Sequence, residues 1–268
     1  MKKKRFIAVL LLKNGWIVQS QAFQTHRNLG NPVTSVKRLS EWACDELIYL
    51  DISREPVYDL RREDLNHPNR NNILQIIEDV SKVTFMPVTF GGGIRTLHDI
   101  EERLSRGADK VAINSKPLAN PEFLTEAAKE FGSQCIVVSM DVKTVNGNPR
   151  VLSQCGRFET EYTPVDWARR AEELGAGEIL LNSIDRDGSK QGYDIPLIKS
   201  VAESVKIPVI ACGGVGEWAH LAEALEATKV DAIAAANILH YRDQSVYLAK
   251  KFLFENGYPV RPPDLMSS

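Results

Sequence analysis

The chain has 268 residues, 43% of them hydrophobic, and a formal net charge of −2. It can form one large domain or two small ones, and it lacks the charge excess that would point to nucleic acid as a partner. No segment approaches the length of a membrane span, and the early apolar run from Phe6 to Leu12 is interrupted by Lys13 without a small-residue cleavage site, so a soluble, cytoplasmic chain is expected.

In chain order, short β-branched runs alternate with stretches of helical period. The strand candidates are "FIAVLLL", "LIYLDI", "MPVTF", "KVAIN", "CIVVSMD", "EILLNSI", "IPVIAC" and "AIAAAN", eight in all. Helical patterns between them include "PVTSVKRLSEWA", "LHDIEERLSRG", "NPEFLTEAAKEFG", "PVDWARRAEELGAG", "LIKSVAESV" and "EWAHLAEALEA". Eight βα units predict an α/β fold, a closed parallel (β/α)8 TIM barrel over residues 1–258 with a C-terminal tail over 259–268; an open doubly wound sheet is the alternative. The four cysteines, Cys44, Cys135, Cys155 and Cys212, form no C-x-x-C pair and have no histidine at ligand spacing, so reduced thiols are expected and neither a metal nor a cofactor is implied.

An internal repeat supports the barrel. "FIAVLLLK" lies on "IVVSMDVK", "CDELIYLDIS" on "AGEILLNSID", and "VTFGGGIRTLHDIEERL" on "VIACGGVGEWAHLAEAL", which implies two half-barrels. In this register Leu11 falls opposite Asp141.

Ligand-holding loops belong at the carboxyl ends of barrel strands. Two such ends are glycine-rich, Gly91-Gly92-Gly93 and Gly213-Gly214, and backbone amides freed by glycine near a helix start suit phosphate. The strands that follow end in Asn114-Ser115 and Asn237, short polar groups able to finish each cradle, and Asp187-Gly188 in "DRDGS" joins this phosphate-binding set. A ligand with a phosphate at each end would span the facing loops. Tight turns alone are the other reading of the glycines and of Asp-Gly. Asp51, Asp141 and Asp187 stand at strand ends, where carboxylates serve as general acids, general bases or hydroxyl acceptors. Asp141 closes an apolar strand directly, ahead of a hairpin-like segment.

"DELIYLDIS", "GGGIR", "RGADKVAINS", "FGSQCIVV", "LGAGEILLNSIDRDGSKQGYD" and "IPVIACGGVG" resemble the cyclase subunit of imidazole glycerol phosphate synthase over nearly the whole chain. The resemblance implies a glutaminase docked on the amino-terminal face as a heterodimer. It also implies ammonia passing through the barrel, and two aspartates ending strands one and five that do the acid-base work. This sequence keeps the second as Asp141 and has Leu11 in place of the first, within Val9-Leu10-Leu11-Leu12; the substrate-gripping lysine of the next loop reads Gln19. A leucine transfers no proton, and loss of one of two cooperating groups costs orders of magnitude in rate. Arg5, Glu46, Lys110 and Glu178, at strand beginnings, match the family's ring of charges that gates ammonia, with Val9, Leu11 and Ile113 expected to help line an apolar lumen above it.

A retained ring with a lost acid resembles the acetamidino-modification proteins of surface-polysaccharide biosynthesis. That resemblance implies an ammonia-channelling subunit beside a glutaminase and an ATP-dependent sugar amidotransferase. The alternative is an active cyclase of histidine biosynthesis. The long polar segment after strand two presents Tyr58, Arg61, Arg62 and His67 as contacts for another protein, or simply as a solvated loop.

Overall fold

The computed structural model describes residues 3–58, 70–240 and 245–263. Eight parallel strands close into a barrel: β1 (Arg5–Lys13), β4 (Glu46–Asp51), β5 (Val88–Gly91), β6 (Lys110–Ile113), β7 (Ile136–Val145), β10 (Glu178–Ser183), β11 (Val209–Cys212) and β12 (Ala232–Ala235). Closure is made by β12 on β1, where Arg5 pairs with Ala232 and Ala8 with Ala235. Each of the eight sequence-expected strands is a barrel strand, so the open sheet is excluded.

The side-chain period of two along a strand sorts residues to two cores. Along β1, Phe6, Ala8, Leu10 and Leu12 pack outward under the helices, whereas Ile7, Val9 and Leu11 face the barrel interior. The outer helices are α1 (Pro32–Glu41), α2 (Ile73–Ser81), α3 (Leu97–Ser105), α4 (Ser115–Ala119), α5 (Glu122–Phe131), α6 (Pro164–Glu173), α7 (Ile195–Ala202), α8 (Trp218–Ala227) and α9 (Ser245–Glu255). Local chemistry starts several of them: Thr96 and Asp99 form a reciprocal cap on α3, Thr163 caps α6 ahead of Pro164, and Asp194 caps α7. Two further elements on the carboxyl side are hairpins. β2 (Trp16–Gln21) and β3 (Thr25–Gly30) follow β1, and β8 (Asn148–Ser153) folds back on β7 through Asn146-Gly147, with β9 (Phe158–Glu159) beyond.

The internal repeat survives as matched hydrogen bonds. Ile52 N–H donates to the Leu12 carbonyl and Ile184 N–H to the Val142 carbonyl, both at 2.8 Å. Asn14 N–H donates to Ser53 Oγ and Thr144 N–H to Asp185 Oδ2, again at 2.8 Å each. The same register places Leu11 and Asp141 at equivalent positions. Past α9, Val260 is buried and pairs with Lys4, so residues 261 and 262 border the amino-terminal face.

Candidate functional site

At the barrel floor, four side chains from strands β1, β4, β6 and β10 form a closed ring of alternating charge. Arg5 Nη1 donates to Glu46 Oε1 at 2.8 Å and Nη2 donates to Glu178; Lys110 Nζ reaches Glu46 Oε2 at 3.3 Å and Glu178 Oε2 at 3.0 Å. Glu46 and Glu178 occupy the same place in the repeat, which is why one carboxylate stands on each side. Two cations balance two anions, so the cost of holding them out of water is offset within the ring. Burial works to lower the Arg5 guanidinium's pKa, but the hydrogen bonds and charges of Glu178 and Glu46 outweigh it and raise it. Below the ring lies a cavity of about 610 Å³ lined by Lys3, Lys4, Arg261 and the hydrophobic Phe85 and Met86. Phe85, 89% exposed, is the most exposed of the large hydrophobic side chains among the described residues and borders this cavity together with Met86.

Above the ring the lumen is lined mainly by apolar side chains, Ile7, Val9, Ile48, Ala112, Val137 and Leu180, with Thr89 and Ser139 in the same inward register. Ile113 belongs elsewhere. It packs in the outer layer under the helices, and Ala112 takes the lumen position, because β6 presents its even-numbered residues inward.

At the mouth, Leu11 and Leu50 form an apolar side with Val9, and Asp141 stands on β7 beside Asn182. Asp141 is 8% exposed. Burial pushes its carboxyl up to about 7, with the Asn182 hydrogen bond pulling the other way and the charge of Asp187 adding to the rise. Asn182 was not anticipated from sequence; its signal was the alternation of β10, which sends Leu180 and Asn182 to one face.

The glycine loops sit where expected, Gly92-Gly93 after β5 and Gly213-Gly214 after β11. All four have positive φ, and added Cβ atoms at Gly92 and Gly214 would lie 2.1 Å from the Asp51 carbonyl oxygen and 2.0 Å from that of Gly192. The polar residues assigned to the cradles hold the hairpins. Asn237 Nδ2 donates to the Ser20 carbonyl at 2.7 Å, while Asp187 accepts from Ser20 Oγ at 2.8 Å and from Phe23 N–H at 3.2 Å, so the β2–β3 hairpin is pinned over the second loop. Gly188 lies directly under that hairpin, close to the Ser20 carbonyl. On the other half, Asn114 Nδ2 donates to the carbonyls of Ser139 and Leu152, and Ser115 Oγ accepts from Gln154 N–H at 2.9 Å, which pins β8. Phe23, at the tip of the first hairpin, approaches Gly156 beyond the second and lines the mouth, leaving a pocket of about 40 Å³ beside Gly213, Gly214 and Lys190, space for a few waters.

Asp51 is turned away from the axis. It pairs in register with the outward Leu12, accepts from Tyr58 Oη at 2.7 Å and Ser53 N–H at 2.9 Å, and burial raises its pKa. Tyr58 is therefore buried rather than presented to a partner. Arg61, Arg62 and His67 lie outside the described residues. All four cysteines are free, and among the described residues no His, Cys, Asp and Glu cluster could hold a metal and no helix is long and apolar enough to cross a membrane.

The Histidine biosynthesis protein family matches this chain over residues 5–245, from the floor arginine to the start of α9. The chain belongs to that family. At the mouth Asp141, on β7, faces Leu11, on β1, while Asp187 stands beside the second glycine loop, tied to the β2–β3 hairpin. Gln19 lies in β2 across from Arg27, in the pinned hairpin.

Proposed function

We propose that this barrel is an ammonia-conducting subunit: it docks a glutaminase on its amino-terminal face and delivers ammonia through its lumen to an ATP-dependent amidotransferase that builds an acetamidino group on a sugar. The observation that carries the reading is the intact four-charge ring at the floor beneath a mouth where Leu11 faces Asp141. Neutral ammonia crosses an apolar lumen at little cost, whereas ammonium does not. The exposed Phe85 beside the ring supports docking on that face, since a large solvent-facing aromatic at the rim of a cavity is the kind of anchor that interfaces bury. The paired glycine loops supply backbone amides for a phosphate-bearing molecule, and seating one requires the pocket of about 40 Å³ beside Gly213 and Gly214 to open.

The active cyclase has one observation in its favour: a carboxyl held at about 7 suits a general acid or base at neutral pH. The two readings divide on one assay. Purified protein supplied with the bisphosphorylated cyclase substrate and ammonium salt is expected to give no imidazole glycerol phosphate. Turnover on the order of 1 per second or more would establish the cyclase instead.

A further inference from the structure

The loop Gly92-Gly93 is held from behind by a side chain that the sequence motifs did not single out. Arg103, on α3, is 5% exposed, and its Nη2 donates to the Gly92 carbonyl at 2.8 Å while Nη1 donates to the Asp99 carbonyl at 2.8 Å. Its Nε is buried and finds no acceptor among the described residues. An arginine rarely goes to such a position for packing alone, because a buried guanidinium with an unsatisfied N–H is costly. Burial lowers its pKa, and the charges of Asp99 and Asp51 oppose that.

The backbone geometry shows what the contact does. The Gly92–Gly93 peptide is trans, so its C=O and N–H point in opposite directions. A carbonyl drawn toward Arg103 on α3 therefore directs the Gly93 N–H away from that helix. Gly92 itself is pressed against the Asp51 carbonyl, and the nearest atom to a Cβ at Gly93 is Arg103 Nη2 at 3.6 Å, so the cation lies directly behind the loop. Opposite, the Gly192 backbone lies nearest a Cβ at Gly214, at 2.0 Å, and Arg186 approaches there through its Cβ at 3.0 Å rather than its guanidinium.

We propose that Arg103 is a positioning residue for the first anion site: it fixes the Gly92 carbonyl so that the Gly93 amide faces the barrel mouth and receives a phosphate group. The proposal rests on the reading of the paired loops as phosphate sites. Tyr58 joins the same corner through Asp51, so Tyr58, Asp51 and Arg103 form one buried polar cluster behind the anion loop.

The test is a titration of the full-length, nitrogen-15-labelled chain with inorganic phosphate, following the backbone amide signals of Gly93 and Gly214. Both are expected to shift in the wild type. In Arg103→Met the Gly93 response should weaken at least about tenfold, the loss of a hydrogen bond to a charged donor, while the Gly214 response stays unchanged and shows that the barrel is folded. Arg103→Lys, which keeps the charge but cannot hold both carbonyls, should fall between, and it carries the comparison if the methionine variant does not fold. Wild-type affinity at Gly93 in either variant overturns the positioning role and leaves the phosphate reading standing. No response at either glycine in the wild type removes the phosphate reading, and the proposal with it.

Discussion

Replacing Asp141 by asparagine should stabilise the protein at neutral and alkaline pH and do little at acid pH. The carboxyl is 8% exposed and is held at about 7 in the fold against an ordinary 3.8. Below 3.8 the group is protonated in both folded and unfolded chains and contributes no pH dependence. Between the two values the unfolded chain ionises while the folded one stays protonated, so stability falls as pH rises; above about 7 the loss is complete and constant. A gap of about 3 at 1.36 kcal/mol each bounds that loss at about 4 kcal/mol. The amide is nearly isosteric and can still meet Asn182, so it removes the titration without opening a cavity. Guanidinium unfolding of wild type and Asp141→Asn at pH 4 and pH 8 reads the difference, which should grow by about 2 to 4 kcal/mol between the two. A difference that stays the same at both values would refute the claim that burial holds this carboxyl protonated.

Removing Lys110 by alanine leaves Glu46 and Glu178 with Arg5 alone; unfolding free energy should drop by about 2 to 3 kcal/mol, and glutamine hydrolysis should uncouple from amidation while added ammonium still supports it. A drop in melting temperature with coupling untouched would make the ring a structural floor only. Phe85→Glu, at a position 89% exposed, should leave the melting temperature unchanged and weaken glutaminase binding by about 1 to 3 kcal/mol, measured by calorimetry. Leu11→Asp restores the carboxylate opposite Asp141 and should still fall well short of full cyclase activity, because Gln19 remains and the β2–β3 hairpin is pinned over the mouth.

The barrel was legible because its signals are local and repeated: eight apolar runs, the glycines after the third and seventh, and a repeat whose register the paired Ile52 and Ile184 hydrogen bonds confirm. The four floor charges were found as a set through family resemblance, and the structure shows them joined. Direction was harder to read where a strand is short. Ile113 was expected in the lumen and Asp51 at the mouth, yet each lies one residue out of phase, and a one-residue slip reverses the face. The β2–β3 hairpin went unread because "WIVQSQ" is brief and "THRNLG" is polar and largely exposed, held by Asp187 and Asn237 rather than by an apolar face of its own. Arg103 lies in an ordinary amphipathic helix, and only its burial marks it.

The central claim is that ammonia reaches its acceptor through this barrel, and one measurement addresses it directly. Glutaminase, this protein, the sugar amidotransferase, ATP and glutamine are combined with an enzyme that consumes free ammonia in solution, and acetamidino sugar formed per glutamine hydrolysed is counted. Delivery through the lumen predicts a ratio close to one that survives the scavenger and collapses when this protein is omitted. A ratio that is the same with and without this protein, or that the scavenger abolishes, would contradict the account.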